Sequence, residues 1–174
     1  MTQQRPATRT ELFAFLDDLG LRYETRDHDA VFTVEESKAI KQDMPGGHSK
    51  NLFLKDKAGT LSLVVAVADT QVDLKALGKV IGAKQRLSFG KPDLMTEVLG
   101  VIPGAVTPFA LINDGEKRVS NVIFDDRFAC FEQAWFHPLE NTASTAISFE
   151  ELLIFVRACG HTPVRMSLSA PSSV

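Results

Sequence analysis

The stretch Leu61-Ser62-Leu63-Val64-Val65-Ala66-Val67-Ala68 is almost continuously apolar, and it decides the fold class. Such a run predicts a strand that is buried on both faces of a central sheet. A second strand is predicted at Asn51–Lys55, and the intervening Asp56-Lys57-Ala58-Gly59 is typical of a hairpin turn. The sequence therefore places a pair of hairpin-connected strands at the centre of the fold.

Further helices and strands are predicted on either side of this pair. Capping boxes predict helices that follow Thr8, Thr33 and Ser148, and two more short helices are predicted over Asp73–Ile81 and Pro92–Leu99. The predicted strands are Leu21–Thr25, Thr107–Ile112 and Val119–Phe124, with the last two joined by the turn Asn113-Asp114-Gly115. Met44–Ser49 is predicted to be a loop, and Phe128–Phe136 is apolar enough for either state.

Strand pairs interspersed with helices, without strict βαβ alternation, indicate an α+β or mixed α/β fold with a largely antiparallel sheet. A chain of 174 residues is expected to form one domain over residues 1–174, since no repeat or linker divides it. The last residues, 167–174, are small, polar and contain proline, so we expect a frayed tail there.

Composition and charge exclude several classes of protein. Nineteen basic against 22 acidic residues give a net charge of −3, which excludes a polycation that coats nucleic acid but allows a local basic patch. No apolar run approaches the ~20 residues that cross a bilayer, and no signal peptide begins the chain, so we expect a cytoplasmic protein without a membrane partner.

Common cofactor and nucleophile motifs are absent from the sequence. It contains no GxGxxG after a strand, no GxxxxGK[ST] and no GxSxG. Cys130 and Cys159 lack a CxxC partner, which argues against a disulfide scaffold or a cysteine-built zinc site. The four histidines do not fall at HxH or HxxxH spacing, which leaves only a metal site assembled from distant histidines.

Three segments carry polar residues where packing does not require them. Lys50 and Asn51 lie at the mouth of an apolar strand, where an ammonium can hold a phosphate or stabilise developing negative charge. The alternative is that Lys50 extends from the strand end into water. The loop Gly100–Phe109 holds two glycines and two prolines, which suit either an oxyanion hole or a rigid turn. His137–Thr145 is dense in hydroxyl and amide groups, which suit a polar pocket or a turn.

A local excess of positive charge lies between Asp73 and Lys91. Five cations against Asp73 alone give this segment a net charge of +4, and they are Lys75, Lys79, Lys84, Arg86 and Lys91. Such a segment is either a solvated helix face or a weak contact for a phosphate backbone. It lacks interleaved aromatic residues, so it does not indicate base stacking on a single strand.

Taken in order, several of these segments resemble a known family. Val31-Phe32-Thr33-Val34-Glu35-Glu36, Pro45–Leu54, Gly104–Phe109 and His137–Thr142 are similar to the YbaK/ProX-type aminoacyl-tRNA editing domains, over about Thr8 to Met166. Within that group the chain most resembles the free-standing prolyl-tRNA editing proteins, which deacylate alanyl-tRNA(Pro). The resemblance implies a mixed α/β fold around a curved, mostly antiparallel sheet flanked by helices, and hydrolysis of the ester on a mischarged tRNA.

The resemblance also implies roles for individual residues. Lys50 is expected to engage the 3′-terminal adenosine, and Lys50, Gly104 and His137 are the expected catalytic residues. No metal or organic cofactor is expected, and the expected partners are mischarged tRNA(Pro) and prolyl-tRNA synthetase. The residues expected to bind substrate come from the resembling segments: Phe32, Thr33, Asn51, Thr107, Pro108, Phe109, Asn141, Thr142 and Ser144. The basic residues of 73–91 are the expected contacts with tRNA.

The residues fit this chemistry. An aminoacyl ester is already activated, so a positioned water and a stabilised oxyanion suffice without a strong nucleophile. We expect backbone N–H groups near Gly104 to stabilise the tetrahedral intermediate, and a substrate ribose hydroxyl, as the family implies, to help activate the water. Three departures from the family pattern are Asp29, Ser144 and Gln71, where the family commonly has proline, threonine and a basic residue.

Three alternatives stay open at this point. The same fold could hydrolyse another ester, such as cysteinyl-tRNA(Pro), with residues 137–145 deciding between substrates. It could also bind an aminoacylated end without catalysis, although the presence of Lys50 and Asn51 argues against this. A DNA-binding protein is disfavoured by the net charge of −3 and the absence of a basic recognition helix.

Overall fold

The structure, a computed structural model, describes residues 5–30 and 34–168. Five α-helices lie at Arg9–Asp18 (α1), Val34–Lys41 (α2), Leu74–Val80 (α3), Pro92–Leu99 (α4) and Phe149–Ala158 (α5), with 3₁₀ helices at Pro108–Asn113 and Asp126–Cys130. The strands are Tyr23–Asp27 (β1), Gly47–Lys55 (β2), Leu61–Val67 (β3), Ser88–Phe89 (β4), Val119–Asp125 (β5), Ala134–Phe136 (β6), Ala143–Ile147 (β7) and Pro163–Met166 (β8).

One sheet joins all of these strands. Its order is β1-β7-β6-β2-β3-β5-β8, and β4 pairs with β2 outside this path. Within the described ranges, four of the seven pairings are antiparallel, and β2·β6, β3·β5 and β5·β8 are parallel. The predicted mixed α/β fold with a mostly antiparallel sheet is therefore confirmed.

Strand β3 is the centre of the fold, as its apolar sequence predicts. All seven of its residues are buried, and it forms the predicted antiparallel hairpin with β2. Leu63, Val65 and Val67 pack into the larger core cluster, whereas Val64 and Ala66 pack on the opposite face against Leu77 and Leu87, among others. None of the helices among the described residues has the length and apolar character that crossing a bilayer demands.

The predicted strand at Thr107–Ile112 is wrong, because this segment forms a 3₁₀ helix. The Thr107 hydroxyl caps the helix by accepting the Phe109 N–H at 3.2 Å, and Pro108 occupies the first turn, where its missing N–H costs nothing. Four consecutive residues, Pro108–Leu111, are buried in the core. The run is apolar because most of this short helix is buried. Consequently β5 does not form a hairpin with it and instead pairs in parallel with β3 and β8.

Other boundaries also differ from the prediction. Strand β2 begins at Gly47, so the second half of the predicted Met44–Ser49 loop is strand. The ambiguous segment Phe128–Phe136 divides between the second 3₁₀ helix and β6. The capping residue Thr33 and the tail beyond residue 168 lie outside the described residues.

One edge of β2 is shared by two short strands. Strand β6 pairs with it at Gly47 and His48, and β4 pairs with it at Leu54 and Lys55. The Gly47 N–H donates to the Gln133 carbonyl at 2.9 Å on this edge, and the Phe53 carbonyl accepts the Gly90 N–H at 2.8 Å on the same edge. Because backbone groups alternate between the two edges of a strand, those of Asn51 also face this edge. No described strand pairs with β2 there.

The close approach of Gly90 to Phe53 generates a stability prediction. A Cβ at Gly90 would lie 2.6 Å from the ring of Phe53, which is only 2% exposed and has little room to move. We expect Gly90→Ala to lower the free energy of unfolding by about 1–3 kcal/mol, measured by urea denaturation. Gly115→Ala is the matched control, because a Cβ there meets nothing within 4 Å and should change stability by less than about 0.5 kcal/mol. Equal stability of the two variants would contradict the prediction.

Candidate functional site

A cavity of about 290 Å³ lies where β2 and β6 part. The two parallel strands pair only at Gly47 and His48, after which β2 continues through Lys50 and Asn51 toward the core while β6 ends at Phe136. The cavity is lined by His28, Ile40, Lys41, Met44, His48, Ser49, Lys50, Asn51, Gly104, Val106, Trp135, Phe136, His137 and Ser144.

Side chains bridge the two strands at this fork. The Ser49 hydroxyl donates to the Trp135 carbonyl at 2.8 Å, and the Trp135 indole N–H donates to the Pro45 carbonyl at 2.9 Å. The Asn51 amide donates to the Ser49 hydroxyl at 3.2 Å. These bonds fix the side chains that frame the cavity, so the site is built on strands rather than on a mobile loop.

The cavity carries positive charge without a compensating carboxylate. Two lysines, Lys41 and Lys50, belong to its lining, and no Asp or Glu among the described residues does. No carboxylate of the described residues lies within 4.0 Å of the Lys50 ammonium. The pKa of Asp69 is lowered chiefly by its hydrogen bond to Arg127, and the charge of Lys50 is the smallest of the contributions that lower it. Such a site favours an anionic ligand.

Three histidines line the cavity, and each contacts a backbone carbonyl. His137 Nδ1 lies 2.9 Å from the Ala143 oxygen, His28 Nδ1 lies 2.9 Å from the Asp29 oxygen, and His48 Nε2 lies 2.9 Å from the Met44 oxygen. A carbonyl only accepts, so each of these nitrogens carries the proton and the other ring nitrogen of the neutral imidazole holds a lone pair. The tautomer of each ring is thereby assigned.

The remaining lone pairs have different surroundings. His28 Nε2 lies 2.8 Å from the Ser144 hydroxyl, which therefore donates to it. The His28 and His137 rings lie 6.4 Å apart, and His137 Nε2 has no hydrogen-bond partner among the described residues. Burial lowers the pKa of His137, and the nearby His28 lowers it further, against the opposing hydrogen bond to Ala143. Burial also lowers the pKa of His48. Both rings are consequently held in the neutral form.

Two kinds of hydrogen-bonding group among the lining residues have no partner in the described structure. The Asn51 side-chain oxygen is buried and has no partner within the described structure. In the loop that follows α4, the Ala105 N–H donates to the Ile102 carbonyl at 3.0 Å, but no described group accepts from the Gly104 or Val106 N–H. Gly104 has a φ of 91°, a conformation that L side chains rarely adopt. A buried unpaired acceptor is costly, and it marks a position where a ligand is expected.

The structure brings five of the predicted site residues together. Lys50, Asn51, Gly104, His137 and Ser144 all line the cavity. Asn141 lies beside them, since a Cβ at Gly104 would be 3.8 Å from its Nδ2. These positions agree with the spacing of the resembling segments, although the chemical role of each residue stays a prediction.

The other predicted residues lie elsewhere. Thr107, Pro108 and Phe109 are buried in the core and do not belong to the lining of the cavity, so their position suits support of the Gly104 loop. Thr142 is exposed, and its hydroxyl donates to Glu140 at 3.2 Å. Phe32 and Thr33 lie outside the described residues. The five cations predicted to contact tRNA are all exposed, on α3 and on the segment that follows it: Lys75, Lys79, Lys84, Arg86 and Lys91.

Several lining residues were not predicted from the sequence. Lys41 and Met44 come from the end of α2 and from the turn after it, and Trp135 comes from β6. The parallel pairing of β2 with β6 brings Trp135 to the site, and no local pattern predicts a pairing between segments 87 residues apart. His28 carried a signal, because it precedes the segment Val31–Glu36 that resembles the family. No group of three or more His, Cys, Asp or Glu suited to a metal occurs among the described residues.

The fold and this cavity define an aminoacyl-tRNA editing domain. The family of that description matches residues 28–155, most of the chain, and the chain belongs to it.

The names of several similar proteins refer to prolyl-tRNA or its synthetase. The chain is 40% identical over 161 residues to the prolyl-tRNA synthetase associated domain-containing protein 1 of Mus musculus, with 90% of this chain and 94% of the relative covered. It is 38% identical over 152 residues to the prolyl-tRNA editing protein ProX of Acetoanaerobium sticklandii, with 87% and 92% covered. A crystal structure described as a candidate trans-editing enzyme for prolyl tRNA synthetase superposes with a TM-score of 0.71 over 93% of this chain and 95% of that one. At 16% identity this likeness shows the fold alone.

The lowered pKa of His137 predicts how stability depends on pH. The unfolded chain has an ordinary His pKa of about 6.5, so below that pH it binds more protons than the folded protein does. The free energy of unfolding should therefore fall as the pH drops through about 6.5 toward the lower folded pKa, and stability should be fully present above this range. His137→Gln should reduce that fall, measured by urea unfolding at about pH 7.5 and about pH 5.5.

The matched control is Cys130→Ser, which changes an exposed thiol and should keep the full pH dependence. An identical pH dependence in the wild type and His137→Gln would contradict the assignment of a neutral His137.

Proposed function

We propose that this protein hydrolyses the ester of mischarged tRNA and that alanyl-tRNA(Pro) is its substrate. The observation that carries the proposal is a cavity that holds Lys50 without a carboxylate partner beside an unpaired buried acceptor and free backbone N–H groups. Family membership and the names of the relatives support a prolyl-tRNA substrate. Prolyl-tRNA synthetase is a further proposed partner, and the cytoplasm is the proposed compartment.

Lys50 is proposed to bind the terminal nucleotide. Lys50 is a half-buried residue of β2, and solvent screens a charge there less than at the surface. An ammonium there attracts a phosphate or the oxygens of the terminal ribose, and Lys41 adds a second positive charge to the same cavity. The tRNA end is thereby held with its ester inside the cavity.

The Gly104 loop is proposed to stabilise the tetrahedral intermediate. The N–H groups of Gly104 and Val106 are free to donate to an oxyanion, and they are fixed by the loop before the reaction begins. Asn51 Oδ1 and His137 Nε2 are acceptors without partners, and they suit the hydroxyl and ammonium donors of an aminoacylated ribose. Activation of the water by a ribose hydroxyl, as the family resemblance implies, completes the proposed mechanism.

Specificity for a small amino acid is proposed to come from the walls of the cavity. Ile40, Met44, Trp135 and Phe136 supply its apolar lining. A synthetase pocket built for proline distinguishes proline from a smaller amino acid by only ~1–3 kcal/mol per methylene. A second site is therefore useful if it admits alanine for hydrolysis and excludes the larger proline.

Two other functions are separated from this one by direct experiments. Hydrolysis of cysteinyl-tRNA(Pro) by the same site is tested by measuring deacylation of alanyl-, cysteinyl- and prolyl-tRNA(Pro) side by side. A binding module without catalysis predicts saturable tRNA binding and no release of amino acid. The proposal requires release of alanine from alanyl-tRNA(Pro) at a rate well above that from prolyl-tRNA(Pro).

Substitution of Lys50 tests its role. We expect Lys50→Ala to lower the rate of alanyl-tRNA(Pro) deacylation by about 100-fold or more, because the substrate end loses its fixed positive charge. Lys55→Ala is the matched control, because Lys55 lies on the same strand but outside the cavity. Undiminished deacylation by Lys50→Ala would exclude this assignment.

The Asn51 side chain is predicted to lower the free energy of unfolding and to increase the rate of deacylation. Asn51→Leu removes the unpaired buried oxygen at similar volume, so the free energy of unfolding should stay equal or rise by about 1 kcal/mol. Deacylation should fall at least tenfold in the same variant, because the substrate loses its acceptor. Urea unfolding and single-turnover deacylation measure the two effects. A variant that is markedly less stable and fully active would refute this prediction.

A further inference from the structure

An exposed aromatic ring lies within the basic segment between Asp73 and Lys91. Phe89 is 62% exposed on β4, and Arg86 and Lys91 are its nearest charged neighbours in sequence. The expectation that this segment lacks an aromatic residue for base stacking is therefore wrong. A large apolar side chain that stays in water is a candidate contact for a partner when charged groups of one sign surround it.

The position of Phe89 is fixed by its strand. It pairs with Leu54 of β2, and the next residue, Gly90, donates its N–H to the Phe53 carbonyl at 2.8 Å. Gly90 also packs so closely on the Phe53 ring that no Cβ fits there without a shift. The backbone that carries Phe89 is thus held against the buried part of the sheet, and ordering it on binding costs little entropy.

Phe89 lies on the same face of the sheet as Lys50. Directly paired residues of antiparallel strands share a face, so Phe89 is on the face of Leu54. Side chains alternate along a strand, which places Lys50 on that face as well. Leu54 lies four positions after Lys50 on β2, which corresponds to about 13 Å at ~3.3 Å per residue.

The charges around Phe89 are available to a ligand. Arg86 and Lys91 are exposed, and neither lies within 4.0 Å of a carboxylate of the described residues. In contrast, six other arginines form ion pairs within the described ranges: Arg5, Arg9, Arg26, Arg118, Arg127 and Arg165. An exposed ring between unpaired cations is the combination that binds a base by stacking and its phosphates by charge.

We propose that Phe89 stacks on an unpaired base of the single-stranded 3′ end of tRNA while Arg86 and Lys91 bind the adjacent phosphates. This inference rests on the proposed function, because the terminal nucleotide is taken to lie at Lys50. About four stacked nucleotides at ~3.4 Å each cover the distance from Lys50 to Phe89, and an extended strand covers it with fewer. The stacked base therefore belongs to the last few nucleotides, upstream of the terminal one.

Two RNA probes that carry no attached amino acid test the proposal on the full chain. One is a hairpin that ends in an unpaired 3′ tail of about four nucleotides, and the other is the same hairpin with a blunt end. Phe89→Ala should weaken binding of the tailed hairpin by about 5- to 150-fold and leave the blunt hairpin nearly unchanged. Phe89→Trp should keep or increase the affinity for the tail. Val80→Ala is the matched control, because it shortens another exposed apolar side chain of the segment, 69% exposed.

The other outcomes overturn the proposal. Unchanged affinity of Phe89→Ala for the tailed hairpin would contradict it, and so would an equal loss of affinity for both hairpins. Full affinity of Phe89→Leu for the tail would also contradict it, because leucine lacks an aromatic face. Unchanged RNA binding together with lost binding to prolyl-tRNA synthetase would assign the surface to a protein instead. Deacylation by the wild type separates the two proposals: if it hydrolyses no mischarged tRNA, the proposed function fails, while the hairpin affinities still decide the role of Phe89.

Discussion

Each position on the edge of a strand can pair with only one neighbour, and this constraint shapes the site. One edge of β2 pairs first with β6 at Gly47 and His48 and later with β4 at Leu54 and Lys55. Between them no described strand pairs with this edge. The other edge of β2 is bound along its length to the fully buried β3, so the open stretch is nevertheless rigid. Lys50 and Asn51 owe their fixed positions to this arrangement.

The proposed chemistry of the cavity depends on groups that have no hydrogen-bond partner in the described structure. Asn51 Oδ1, His137 Nε2 and the N–H groups of Gly104 and Val106 have no partner among the described residues. A protein that minimised its own free energy would pair or remove them. The three histidines that line the cavity are each partly satisfied, because one ring nitrogen of each contacts a backbone carbonyl. The rings are therefore oriented before any substrate arrives, which is what preorganised catalysis requires.

The sequence predicted features that depend on local pattern. The β2–β3 hairpin, α3 and α4 follow from apolar runs, turn residues and caps, and Lys50 with Asn51 stood out as polar residues on an apolar strand. Features that depend on contacts between distant parts of the chain were not predicted from the sequence. The 3₁₀ helix at Pro108–Asn113 is apolar for the same reason that a buried strand is, and the β2–β6 pairing joins segments far apart in the chain. Residues such as Trp135 reach the site only through that pairing.

The open stretch of β2 also bears on how the protein behaves at high concentration. A bare strand edge is a template on which another chain can add a strand, the first step toward aggregation. Here the bare stretch runs only from Ser49 to Leu52, closed at one end by β6 and at the other by β4 and the Gly90 N–H, which donates to the Phe53 carbonyl. Lys50 belongs to this stretch, and charged lysines discourage such pairing. The gap is long enough for one extended ligand and too short and too charged for a neighbouring molecule to dock a strand.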